Sequence, residues 1–112
     1  MIFNKTRKTL LSKEYKLCKT PFSKTIGLMF RKKPSALIFV FDKEEKVSLH
    51  MFFVFFPIDV LYLNKEKAVV EIKKKFMPFT FYNPRKKASY VIELPNGTIG
   101  KSRTSIGDIL RF

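Results

Sequence analysis

Tryptophan and glutamine are absent from this sequence, cysteine and histidine occur once each, and 9 acidic residues face 23 lysines and arginines. A single cysteine, Cys18, excludes an intrachain disulfide and a cysteine-based zinc site, and it suits a reducing cytosol. A single histidine, His50, excludes a two-histidine metal centre and leaves any serine–histidine–aspartate arrangement with one possible base. No serine lies in a G-x-S-x-G context, so the nucleophile-elbow signature is missing as well. No metal and no cofactor is expected. Long hydrophobic runs are also lacking: residues 49–56 form the longest, Pro57 and Asp59 stop it, and a bilayer span needs roughly 20 residues. Basic residues near the N-terminus precede no apolar stretch of signal-peptide length. The expectation is a cytoplasmic protein without membrane insertion.

What is present points to a packed domain. Hydrophobic residues make up 46% of the chain and include 13 Phe and 4 Tyr, an aromatic mass that disordered chains do not carry. A chain of 112 residues has the size of one domain, residues 1–112, with too few residues to close a second core. The formal charge of +14 favours an anionic partner, whether nucleic acid, a membrane surface or an acidic protein. A lysine-rich surface without glutamine is equally a habit of proteins from hot environments, so the charge has a thermophile-like reading too.

The pattern predicts a mostly β, β-rich α+β fold: a small antiparallel barrel or sandwich with one short helix near residues 21–31. Thr20 and Pro21 suit a helix start, and Phe22, Ile26, Met29 and Phe30 recur at helical spacing around Gly27. Strands are expected over residues 36–41, 47–55, 58–63, 67–76, 88–94 and 109–112, with a weaker opening strand within 10–18. Pro95, Asn96 and Gly97 mark a turn.

Residues 49–63 form the apolar centre. Read as a strand, residues 47–56 are apolar on both faces, which predicts two-sided burial. His50 and Asp59 interrupt this company, and in an extended chain they lie about 30 Å apart, so a direct pair requires a bend at Pro57. A buried Asp59 needs backbone amides or a cation such as Arg31 to offset its desolvation. Glu93 and Asp108 also sit among apolar neighbours. Arg31, His50, Asp59, Glu93 and Asp108 are thus the ingredients of a buried polar cluster, either a network that fixes the fold or a pocket with perturbed ionisation.

A family resemblance emerges from the order of these segments. Gly27-Leu28-Met29-Phe30-Arg31, Pro57-Ile58-Asp59, Tyr90-Val91-Ile92-Glu93 and Gly107-Asp108 follow as they do in the domain of unknown function 192 family, over about residues 20–112. The resemblance implies a compact, mostly β domain of bacteria and archaea and brings no activity with it. Many bacterial members carry tryptophan, methionine and polar residues before the Pro-hydrophobic-Asp motif. His50-Met51-Phe52-Phe53-Val54 stands there in this chain and resembles an archaeal version.

The most suggestive functional segment lies further on. Lys73, Lys74 and Lys75 precede Phe76, Phe79, Phe81 and Tyr82, and Arg85, Lys86 and Lys87 follow. If the flanking strands pair antiparallel, both cationic triplets gather at one end of the domain. Cations attract phosphates, and aromatic faces stack on bases at ~1–3 kcal/mol each. The structural alternative has Phe76, Phe79 and Phe81 tucked inward to close the core while the lysines are merely solvated. Three functions stay open: a non-enzymatic binding module for nucleic acid or another polyanion, a small enzyme or small-ligand pocket, and an oligomer-forming domain.

Overall fold

The computed structural model describes residues 1–19, 35–51 and 54–112. In chain order these residues form β1 (Ile2–Asn4), β2 (Thr9–Ser12), β3 (Lys16–Cys18), β4 (Leu37–Glu45), β5 (Leu49–His50), β6 (Ile58–Leu63), β7 (Val69–Phe76), β8 (Phe81–Tyr82), β9 (Ala88–Pro95), α1 (Thr98–Ser102) and β10 (Leu110–Arg111). The fold is β-rich α+β, as the sequence pattern predicts. Among the described residues no helix is long and apolar enough to cross a membrane. The helix expected over residues 21–31, with Gly27 and Arg31, lies outside the described residues.

A five-stranded sheet, β3-β4-β9-β6-β7, forms the middle layer. β6 is its inner strand and all six of its residues are buried, because both sheet faces are covered. Alternation along β6 feeds two cores. Ile58, Val60 and Tyr62 join Leu37, Phe39, Phe76 and Val91 on one face, and Leu61 and Leu63 join Ile38, Ile92 and Leu94 on the other. Burying each such side chain contributes about 1.5–3 kcal/mol, so β6 is where truncation costs most.

The second face is roofed by the three-stranded sheet β10-β1-β2 and by α1, which supply Ile2, Leu11, Leu110 and Ile99 to its core. Across the first face lies the two-stranded ribbon β5-β8, in which Leu49 pairs with Tyr82 and His50 with Phe81. Leu49 and Tyr82 pack down onto the core together with buried Met51 and Val54. His50 and Phe81 are exposed.

Several expectations need correction. The described strands stack as layers and form no closed barrel, and β3 joins β4 in parallel rather than antiparallel. Among the described residues, the expected strand over residues 47–55 is reduced to β5, and beyond it the Met51 amide donates to Thr80 O at 2.9 Å. The strand buried on both faces is therefore β6, one segment later. The turn read at residues 95–97 is present and leads directly into α1, with Gly97 at φ 94°, a left-handed conformation that glycine adopts without steric cost.

Candidate functional site

The described carboxylates in the core do not converge. Asp59 and Val60 are adjacent on β6, and Val60 pairs with Glu93, so Asp59 and Glu93 point to opposite faces of the sheet. Asp59 serves the backbone. Its Oδ1 accepts the Lys75 amide at 3.1 Å, and its Oδ2 accepts the amides of Gly97 at 3.1 Å and Ile99 at 3.0 Å. One side chain thus ties the end of β7 to the start of α1.

Asp108 belongs to a third region. Its Oδ2 accepts from Asn4 at 3.0 Å, from Arg7 at 3.1 Å and from the Ser105 amide at 2.9 Å. Burial pushes this carboxyl upward, but the Asn4, Ser105 and Arg7 hydrogen bonds and the Arg7 charge outweigh it and hold the group below its ordinary value. Asn4 extends the network to Thr104, which contacts Ser102. These bonds fasten β1 to the C-terminal segment.

Glu93 is the described carboxylate whose titration is raised. It faces Leu37 and Val60 across the sheet, and no donor among the described residues reaches it. Burial alone pushes it up to about 7. His50, the only histidine, sits on the outer side of the ribbon next to Phe81, not in the core. Arg31 lies outside the described residues. Of the five polar candidates, the four that the structure describes occupy four separate environments, and no three His, Cys, Asp or Glu among the described residues are grouped to hold a metal.

Sequence reasoning passed over Glu71. It is buried at 8% exposure although Lys73, Lys74 and Lys75 begin two residues after it. Its Oε1 accepts the amides of Arg85 at 2.8 Å and Lys86 at 2.9 Å, and its Oε2 accepts a short bond from the Tyr82 hydroxyl. Burial and the Glu71 partner push the Tyr82 hydroxyl up to about 12. Glu71 therefore latches the returning loop onto β7. Glu71→Ala is expected to cost about 1–3 kcal/mol and to speed amide exchange at Arg85 and Lys86 while β6 and β9 stay protected. Unchanged exchange at those two amides would remove the latch.

The basic–aromatic segment splits in two. β6 lies between β7 and β9 and is antiparallel to both, so β7 and β9 run parallel to each other. The triplets consequently do not gather at one end: Arg85 and Lys86 lie level with Glu71, whereas Lys73, Lys74 and Lys75 stand two to four residues further along β7, about 7–13 Å at the rise of a strand. Phe76 is buried, as the structural reading had it, but Phe79 and Phe81 are 51% and 67% exposed. Phe55 and Met77 join them at 62% and 45%. Phe55 and Phe79 meet edge to face with centroids 5.7 Å apart, and Lys73 Nζ lies 5.3 Å from the Tyr82 ring centroid.

The backbone is bent to present this group. Lys75 and Phe79 have φ of 49° and 60°, left-handed values that are unusual for large residues. The Asp59 bond holds Lys75, and the Phe79 amide donates to Met51 O at 2.8 Å. Two strained residues, each fixed from outside, bracket the turn that carries the exposed rings.

Comparison with known proteins settles the family. The model of DUF192, described as "Uncharacterized ACR", matches residues 2–112. The chain belongs to DUF192. The match takes in β1 and β2, which the resemblance read from residues 20–112 left out. Curated relatives are archaeal UPF0127 proteins: that of Thermococcus sibiricus is 36% identical over 111 residues, covering 96% of this chain and 71% of the relative. The UPF0127 protein of Pyrococcus horikoshii is 30% identical over 114 residues, covering 100% and 98%. Among solved structures, this DUF192 chain resembles a candidate transcription regulator from Sinorhizobium meliloti, with TM-score 0.82, 25% identity and coverage of 87% and 79%. A protein of unknown function from Novosphingobium aromaticivorans shares the fold at TM-score 0.81 and 20% identity, over 88% and 74% of the two chains. In DUF192 terms, the Pro57-Ile58-Asp59 motif is where Asp59 gathers backbone amides, and Gly107-Asp108 is where the N-terminal strand is fastened.

Proposed function

We propose that this DUF192 chain is a non-enzymatic binding module whose ligand is nucleic acid, held at the edge formed by the end of β7, the 77–80 turn and the β5-β8 ribbon. The supporting observation is the exposure of Phe55, Phe79 and Phe81 beside Lys73, Lys74 and Lys75 on a chain of charge +14. Burying large rings is the default in a small domain, yet here the loop is strained and braced with these rings outward. Flanking lysines attract the phosphates of a polyanion, and the rings offer π-faces to its bases. The description of the Sinorhizobium structure as a candidate transcription regulator runs in the same direction. A pocket reading finds less support, since the described carboxylates are spent on backbone amides or isolated in the core.

The test is binding of mixed-sequence DNA and RNA across a salt series. Affinity should fall steeply with salt, and K73E/K74E/K75E should weaken it and flatten the slope by about 2, at about 0.7 per single-strand phosphate contact. An affinity indifferent to both salt and charge reversal would sink the proposal.

A further inference from the structure

Resting on that reading, the geometry points to a narrower ligand: unpaired nucleic acid, gripped by the Lys73–Phe81 half of the segment and not by Arg85, Lys86 and Lys87. Two observations carry this, one electrostatic and one steric.

The second triplet has anionic neighbours. Glu45 pairs with Ala88, so the end of β4 that carries Asp42, Glu44 and Glu45 lies against the start of β9. The Glu71 carboxylate also sits at the amides of Arg85 and Lys86. Asp42, Lys43, Glu44, Glu45 and Lys46 sum to a charge of −1, which offsets part of the +3 on Arg85, Lys86 and Lys87. A phosphate arriving there meets the exposed carboxylates of Asp42, Glu44 and Glu45 as well as Lys43 and Lys46. Lys74 and Lys75 are exposed at the far end of β7, next in sequence to the exposed turn, and the neighbouring Asp59 is buried and committed to three amides. The attractive field is therefore concentrated on the side of the molecule that carries the rings.

The rings select for open strands. Phe55, Phe79 and Phe81 project from short turns and a two-residue strand, and His50 stands opposite Phe81 on the same ribbon. A base in a duplex has both faces covered by its neighbours, so exposed aromatic side chains find stacking partners only where bases are unpaired. With five residues, its first amides already bound by Asp59, α1 is too short to read a major groove. Lys73, Lys74 and Lys75 would then hold the backbone while two or three successive bases lie over Phe79, Phe81 and Phe55.

The test uses a 5′-labelled mixed-sequence oligonucleotide, single-stranded or annealed to its complement, with fluorescence anisotropy on the whole chain. Phe79→Gly is the diagnostic ring variant, since glycine accepts φ of 60° and keeps the turn intact. The expected result is single-strand affinity at least about tenfold above duplex affinity. Phe79→Gly and K73E/K74E/K75E should each lose about tenfold or more, and R85E/K86E/K87E less than about threefold. Thermal melting of each variant confirms that it is folded. Equal affinity for duplex, full affinity in Phe79→Gly, or equal losses from the two reversals would overturn this inference while nucleic-acid binding stood. No salt-sensitive binding of either form by the wild-type chain would instead overturn the binding reading itself.

Discussion

Asp59→Ala is expected to destabilise the fold by about 4 kcal/mol, the largest loss for any single polar side chain described. Three backbone amides, those of Lys75, Gly97 and Ile99, lose a charged acceptor at once. Hydrogen bonds to a charged group are worth about 1.5–3 kcal/mol each, and the orphaned donors add their own desolvation cost. The left-handed backbone at Lys75 then has nothing to hold it. Asp59→Asn separates the two halves of the role. Its single carbonyl oxygen can still accept from Gly97 and Ile99, but its NH2 then faces the Lys75 amide, so about half of the loss should remain. Denaturant titration gives the totals, and amide exchange at Lys75, Gly97 and Ile99 shows which half is gone. A loss below about 1 kcal/mol in Asp59→Ala would mean that these bonds do not brace the turn.

Glu93 should make the protein less stable as pH rises from acid to neutral, the reverse of an ordinary surface carboxylate. Its folded value of about 7 stands above the ordinary glutamate value of 4.5. Between these values the folded state keeps a proton that the unfolded chain has released. The stabilisation is therefore complete below about 4.5, is lost as pH climbs through 7, and is constant above that. The shift corresponds to about 3 kcal/mol, at 1.36 kcal/mol for each pH unit. Asp108 acts oppositely: its contribution is present above the ordinary aspartate value of 3.8 and disappears as pH falls below it, so the two limbs do not overlap. Glu93→Gln should abolish the neutral limb and be more stable than wild type at pH 8 but not at pH 4. Denaturation curves at those two pH values decide it; a parallel pH dependence in both proteins would contradict the burial argument.

Composition and alternation made the strand segments legible. β4, β6, β7 and β9 lie where aromatic and β-branched residues cluster, and β6 declares itself by an apolar run that only Asp59 interrupts. Faces were harder to read, and β7 shows why. Its register with β6 slips twice, between Tyr62 and Leu63 and between Ile58 and Val60. Each slip shifts the two-residue period by one. Val69 therefore joins one core, Glu71 faces the other across from Tyr62, and Phe76 is buried although Lys73 lies on its face three positions before it. No count of alternation along residues 67–76 returns that pattern.

The candidate site was legible in its ingredients and not in its arrangement. The demand that a buried Asp59 find backbone amides follows from desolvation alone, and three amides meet it. The placement of the cationic triplets depended on which strand lies between β7 and β9, a long-range fact that local sequence does not encode. His50 looked internal because its neighbours are apolar. A two-residue ribbon turns one of every pair outward, and His50 with Phe81 is that pair.

The most direct measurement is amide chemical-shift mapping of the labelled chain as a short single-stranded oligonucleotide is added at low salt. Shifts are expected at His50, Phe55, Lys73, Lys74, Lys75, Met77, Phe79 and Phe81, with β1, β2 and β10 unmoved. Shifts centred on Arg85, Lys86 and Lys87, or on the β10-β1-β2 layer, would place the ligand elsewhere and contradict the account.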